Sequence, residues 1–254
     1  MDRQGTVLDI SAVEQHAPVY RIISLRRLYE LFRDRRNVLV SPSMWEDPFE
    51  NFILKSQRIS RRGWFGQCWT RYKASDAMWR IYSSDAKGIR IRSTPARLLG
   101  GLAQATTRGH AFIGSVRYLA RRPLLRFAQK AIRAGHLDVA AEAARTLLVK
   151  RPAFRHEAEI RLLFSRKVQG SSFSYRVHPH LLLDQLMLDP RLSPAEFEVV
   201  RAEIRSKTGY AGPIKRSLLY APPPELIGGP TSLGTVSPSK RLQPAAGVIM
   251  GRRG

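Results

Sequence analysis

Glu157 and Glu159, two residues apart and followed by Arg161, are the side chains of this sequence best suited to chemistry. On an extended strand, residues i and i+2 point to the same side, about 7 Å apart, twice the rise per residue. Carboxylates that close repel, which raises the pKa of one, while the guanidinium of Arg161 draws the other down. A pair divided in this way suits a reaction that builds positive charge on a sugar carbon. One carboxylate stabilises the oxocarbenium-like centre and the other orients or deprotonates the acceptor. The same spacing also fits a solvated strand face carrying an ordinary surface ion pair.

Three further segments carry groups that line pockets: Trp45-Glu46-Asp47-Pro48-Phe49-Glu50, Cys68-Trp69-Thr70 and Met78-Trp79-Arg80-Ile81-Tyr82. Trp45 and Phe49 flank a turn, either stacking on a flat ligand ring or capping the core. Asp47 before Pro48 either fixes that turn through its side chain or meets a ligand. Trp79 and Tyr82, three apart on a helix, are core or cofactor contacts. Cys68 has no histidine at a recognisable spacing to act as its base, and is expected as a small buried residue. His178 and His180 flank Pro179 without further ligands, and no Cys/His cluster has zinc spacing, so no metal site is expected.

In this order the four segments resemble the bacterial family known as domain of unknown function twenty-nine seventy-one, from about Val19 to Tyr220. A Tyr20-Arg21 strand near the start, a hydroxyl-bearing strand ending at Thr70 and a late Glu157-x-Glu159 strand are also similar in layout to the ADP-ribosyltransferase superfamily. Cys68-Trp69-Thr70 departs from that superfamily's Ser-Thr-Ser pattern, and Tyr20-Arg21 is a short match. The resemblance implies NAD as the substrate, Arg21 on the dinucleotide, Thr70 supporting the nicotinamide ribose, Glu159 as the catalytic carboxylate and Glu157 directing the acceptor. Candidate cofactor contacts are then Tyr20, Arg21, Thr70, Trp79 and Tyr82, and candidate substrate contacts are Trp45, Asp47, Phe49 and Arg161. The implied activity is ADP-ribosyl transfer to a nucleic-acid or protein acceptor, in a stress, toxin or phage-defence setting. Two alternatives stand beside it: a non-catalytic Arg-rich nucleic-acid-binding module, and an NAD or nucleotide glycohydrolase.

Positioning these groups takes a mixed set of elements. Ser24 caps an amphipathic helix carrying Leu25, Leu28, Tyr29 and Phe32 and ending near Asn37. Asn37 to Ser41 reads as a strand closed by Pro42, and Ser75 caps the helix of Met78, Trp79 and Tyr82. Ile89-Arg90-Ile91-Arg92 alternates as a half-exposed strand does, and a second strand is expected over Ser115 to Leu119. Two helical stripes between Pro123 and Val149, separated by Gly135, form an inserted hairpin. Phe154 to Ser165 returns to alternation, placing Glu157 and Glu159 on one strand face. Ser193-Pro194-Ala195-Glu196 is a capping box opening a helix that stops before Gly209.

The expected fold is α+β, with a central mixed or split antiparallel sheet, packed helices and the inserted helical hairpin. Residues 1–18 read as an N-terminal arm and 19–220 as one domain, with the insertion at about 123–149. In residues 221–254, 12 of 34 positions are Pro or Gly, the composition of a disordered, mildly basic tail. With 254 residues and 43% hydrophobic content the chain can bury a sizeable core. The net charge of +23 points toward polyanions, yet only nine of the 43 basic residues are Lys and the Arg residues are dispersed, as a coding bias also produces. One cysteine, no leader pattern and no apolar run of about 20 residues fit a cytoplasmic protein without a membrane partner.

Overall fold

Several helices of this chain start where a serine side chain satisfies one of their first free N–H groups. The Ser24 hydroxyl accepts from the Arg27 N–H and opens the helix Leu25–Asp34, and Ser75 accepts from Met78 and opens Asp76–Tyr82. Ser193 and Glu196 cap each other at the start of Pro194–Thr208, which Gly209 ends in the left-handed conformation at φ 63°. The computed structural model describes residues 5–50, 52–53, 63–73, 75–135 and 139–220. The expected tail, 221–254, lies outside them.

The strands are β1 (Thr6–Leu8), β2 (Val19–Ser24), β3 (Arg36–Val40), β4 (Gly63–Thr70), β5 (Gly88–Ser93), β6 (His110–Ser115), β7 (Arg117–Tyr118), β8 (Val149–Lys150), β9 (Glu159–Arg166), β10 (Ser172–Arg176), β11 (Gln185–Leu188) and β12 (Ile214–Arg216). The main sheet runs β1-β6-β9-β4-β2-β5-β11-β12, with β3 joined to β4 and β10 joined to β3. Its β1–β6 and β11–β12 pairs are parallel and the others antiparallel, so the fold is α+β around a mixed sheet. Within residues 1–18, β1 lies in this sheet and Ser11 and Glu14 form a capping box for the helix Ala12–His16.

One edge of β4 is divided between two neighbours. β2 meets β4 through the single pair Tyr20–Thr70, and β3 meets it at Val40–Gly66. Between those two points β2 and β3 diverge, which leaves a split beside Gln67, Cys68 and Trp69.

Both faces of the sheet are covered. On one, the helices Leu25–Asp34, Pro95–Ala105 and Pro194–Thr208 pack Leu28, Leu98, Leu102 and Ile204 against Trp69, Ile91, Ile160 and Leu162. On the other, Ala143, Ala144, Leu147 and Leu148 pack on Leu8, Phe112 and Leu163. A Cβ on Gly114 of β6 would stand 2.2 Å from Leu148, so glycine is what lets this second layer approach.

This double cover corrects the expectation for residues 89–92. Arg90 is buried as well as Ile89 and Ile91, because β5 lies between β2 and β11 and not at a surface. The strand expected over Ser115 to Leu119 is instead the end of β6 followed by the two-residue β7. The inserted hairpin consists of the helices Arg121–Arg133 and Ala140–Thr146, clamped at its base by parallel pairing of β7 with β8.

A candidate active site in the strand split

A cavity of about 130 Å³ fills the split, lined by Tyr20, Arg21 and Ile22 of β2, Cys68, Trp69 and Thr70 of β4, Met78 and Tyr82 of the adjoining helix, and Glu157 and Glu159. That volume is close to the roughly 150 Å³ that holds one benzene ring. It is well below the roughly 300 Å³ or more of pockets that enclose a drug-sized ligand. This is room for one planar ring.

The carboxylates reach the cavity by different routes. Glu159 is the first residue of β9, level with Thr70 across the β4–β9 ladder. Glu157 is not on that strand, contrary to the expectation from alternation. It ends a 3-10 helix, Pro152–Glu157, and Ala158 turns the chain sharply in the left-handed conformation at φ 41°. Pro152 presets the 3-10 turn by fixing its own φ. A left-handed alanine costs about 1 kcal/mol, a strain held here by the cluster that receives Glu157.

That cluster is a buried ion network. Lys150 Nζ lies 3.0 Å from Glu50 Oε1, 2.5 Å from Glu157 Oε2 and 3.0 Å from Glu159 Oε1. Arg161, 0% exposed, donates from Nε to Glu159 Oε2 at 2.7 Å, from Nη2 to Glu50 Oε2 at 2.7 Å and from Nη1 to the Leu147 carbonyl at 2.7 Å. The solvated strand face considered for Glu157, Glu159 and Arg161 is therefore not what forms, since all three are buried. Three carboxylates face two cations, which leaves one negative charge uncompensated within the network. Phe154 covers Lys150 at 4.4 Å and Trp45 covers Arg161 at 4.3 Å, both over the ring face. The Tyr82 hydroxyl donates to Glu157 Oε1 at 3.4 Å, and the Glu159 N–H donates to the Tyr118 hydroxyl at 2.9 Å.

The environment drives the two carboxyl pKa values apart. Burial, reinforced by the neighbouring Glu159, pushes Glu157 up to about 7 despite Lys150. Burial also opposes the charge on Glu159, but Arg161, then Glu157 and Lys150, outweigh it and hold Glu159 down at about 2. Near neutral pH one carboxylate stays ionised while the other can exchange a proton, the division seen wherever paired acids take separate roles. On the opposite wall Arg21 pairs with no carboxylate among the described residues, and burial lowers its pKa. The Cys68 thiol is pushed up to about 12 by burial and Glu159, which leaves it protonated and unsuited to nucleophilic attack.

Of the residues singled out from sequence, Tyr20, Arg21, Thr70, Tyr82, Glu157 and Glu159 line one cavity. The others stand elsewhere. Trp79 is 1% exposed and packs into the protein interior. Arg161 lies behind Glu159 and outside the cavity lining, with Trp45 stacked on it. Asp47 accepts from the Phe49 N–H at 3.0 Å and from Arg151 at 3.0 Å, which fixes the turn that presents Glu50. Phe49 is exposed on the flank of that turn, over Arg151.

Sequence reasoning missed Lys150, Tyr118 and the role of Glu50. Glu50 stood inside a motif already noted, so its acidic type beside Asp47 was a usable signal. Lys150 had none, because its partners depend on the β7–β8 clamp. Among the described residues no group of three or more His, Cys, Asp or Glu comes together as metal ligands, and no helix is long and apolar enough to cross a membrane.

The chain aligns with solved structures of DarT from Thermus sp. 2.9. The complex with NAD+ gives a TM-score of 0.37 and 12% identity over 80% of this chain and 96% of that one. The complex with ADP-ribosylated ssDNA gives a TM-score of 0.37 and 13% identity over 85% and 97%. No family model and no curated protein matches the chain, so the resemblance to domain of unknown function twenty-nine seventy-one rests on its motifs alone. The site stands on its own geometry.

Proposed function

We propose that this protein is an NAD-dependent ADP-ribosyltransferase-like enzyme acting at the strand split. The observation that carries the reading is the pair Glu157 and Glu159, lining one ring-sized cavity with their pKa values held apart. The nicotinamide ring occupies the cavity, with the ribose at its mouth near Thr70. The glycosidic C–N bond breaks and its electron pair leaves with the nicotinamide nitrogen, cancelling the pyridinium charge. Positive charge then develops on the ribose carbon, which the permanently ionised Glu159 stabilises. The acceptor forms the new bond to that carbon and gives its proton to Glu157. Water in place of the acceptor would make the same site a glycohydrolase. Arg21 suits the anionic part of the ligand, because a guanidinium pairs phosphate oxygens two at a time.

A polyanionic acceptor is supported by the helix Arg121–Arg133. Arg122, Arg126, Lys130 and Arg133 follow one another at helical spacing along an exposed stripe, and the helix contains no acidic residue. Successive charges four residues apart stand about 6 Å from each other along the axis, a repeat a nucleic-acid backbone can follow.

Incubation with labelled NAD and total cellular RNA, DNA and protein tests both parts. Label should pass to a single fraction, and Glu159→Gln should lower turnover by about 10²–10³ while circular dichroism stays unchanged. Free nicotinamide without transfer indicates the glycohydrolase. Full activity in a folded Glu159→Gln protein removes the catalytic assignment. If NAD is untouched but nucleic acid binds with steep salt dependence, the chain is the Arg-rich binding module.

A further inference from the structure

Arg90 is a buried cation with no counter-charge among the described residues. It is 4% exposed, and neither its Nε nor its Nη2 has a hydrogen-bond partner. Two other arginines on the same face of the sheet are satisfied. Arg92, two residues along the same strand, donates to Asp184 at 2.5 Å, and Arg161 on the same face of the sheet is bonded through all three nitrogens. Arg90 instead rests over the Tyr20 ring, 4.6 Å from its centre. A ring face offsets only part of the cost of stripping water from a guanidinium, whose donors still need acceptors. Burial accordingly drives its pKa down to about 10.

The place of Arg90 makes this informative. It is level with Ile22 in the β2–β5 ladder and stacked on Tyr20, and both of those residues line the strand-split cavity. One strand spacing, about 5 Å, separates β5 from β2. The cavity thus has carboxylates at its β9 end and, past Tyr20, an unsatisfied guanidinium at its β5 end.

We propose that Arg90 is an anion-binding residue of this site, taking a phosphoryl group of the ligand whose ring occupies the cavity. The inference rests on the reading of that cavity as a glycosyl-transfer site and adds a preference to it. The preferred ligand carries a phosphate or pyrophosphate ester, so a nucleotide binds more tightly than the corresponding nucleoside. A ligand cationic at the carboxylate end and anionic at the Arg90 end matches both walls.

The test measures binding of NAD, nicotinamide riboside and inorganic pyrophosphate by titration calorimetry and by intrinsic tryptophan fluorescence, with wild type, Arg90→Met and Arg90→Lys. For Arg90→Met the Kd for NAD and for pyrophosphate should rise by at least about tenfold, while that for nicotinamide riboside stays the same, and Arg90→Lys should recover part of the loss. Removing an unpaired buried charge should also raise the melting temperature of the free protein. Unchanged NAD and pyrophosphate affinity in Arg90→Met overturns the proposal and leaves the glycosyl-transfer reading standing. An equal loss for nicotinamide riboside, or a lower melting temperature in both variants, makes Arg90 a structural prop and overturns it too. If wild type binds pyrophosphate through Arg90 but neither nicotinamide compound, the anion site survives and the NAD reading falls. If wild type binds none of the three, both fall.

Discussion

On one face of the sheet beside the strand split, Asn37, Gln67, Trp69 and Tyr175 exchange neutral hydrogen bonds. On the other, Glu50, Lys150, Glu157, Glu159 and Arg161 exchange charged ones. In the neutral network Gln67 is central. Its Nε2 donates to Asn37 Oδ1 at 2.9 Å and to the Val38 carbonyl at 3.1 Å, and its Oε1 accepts from Trp69 Nε1 at 2.9 Å. Asn37 in turn donates to the Tyr175 hydroxyl at 2.8 Å. These bonds tie β3 and β10 to β4 where the backbone ladder is interrupted, and they do so in the same way at any pH near neutrality. The charged network joins Lys150 of β8 to Glu159 of β9, and one of its members titrates near 7. Two buried polar clusters of similar size thus serve different ends, one keeping the split in register and the other keeping a reactive charge distribution.

Breaking the charged network should have the largest effect. Lys150→Met leaves three buried carboxylates facing one guanidinium and should destabilise the fold by about 3–5 kcal/mol at pH 7. Urea denaturation measures this, and part of the loss should return at pH 5, where a proton can replace the missing charge. A wild-type midpoint in the mutant would mean that solvent already screens the cluster.

The next test sharpens the contrast through pH. Glu157 has a folded pKa of about 7, above its unfolded value near 4.3, so the folded state binds the extra proton between those limits. Its contribution to stability is therefore complete below about pH 4.3 and is lost as pH rises to 7, with a slope of at most about 1.4 kcal/mol per pH unit. Glu159 acts in the opposite sense: its contribution is present above about pH 4.3 and is lost as pH falls toward 2. Glu157→Gln should abolish the slope between pH 5 and 7, and in an activity assay the limb near 7. A slope that survives the substitution assigns that titration to another group.

On the neutral side, Gln67→Leu should cost about 1–3 kcal/mol, since the Trp69 and Asn37 donors lose their acceptor in a dry environment. The loss should be the same from pH 5 to pH 8. Smallest of all, Tyr118→Phe removes only the acceptor for the Glu159 N–H and should cost about 0.5–1.5 kcal/mol, read as a modest shift in thermal midpoint.

What could be read from the sequence was what short-range chemistry decides. The caps at Ser24, Ser75 and Ser193 each depend on a hydroxyl three residues from the N–H it accepts, and each helix starts where its cap requires. Alternation misled where both sheet faces are covered, as at Arg90, since a polar residue in such a strand is buried like its neighbours. It misled again at Glu157, because no glycine or proline at residue 158 announces the left-handed turn. Of the site, the residues on β2, β4 and the helix Asp76–Tyr82 were identifiable by type and order. Lys150 was not, since it and Glu50, 100 positions apart, become neighbours only through the sheet and the clamp.

The single Tyr20–Thr70 pairing also has a consequence for the exchange of backbone protons with solvent. In an unbroken sheet the middle strands protect their amides best, being furthest from any edge. β2 and β4 occupy the middle of this sheet, yet each turns an unpaired stretch of backbone toward the split. Deuterium should therefore enter the amides that face this gap faster than those of the β4–β9 ladder one strand away, and a ligand seated there should slow them. The innermost part of the sheet becomes its most sensitive reporter of occupancy.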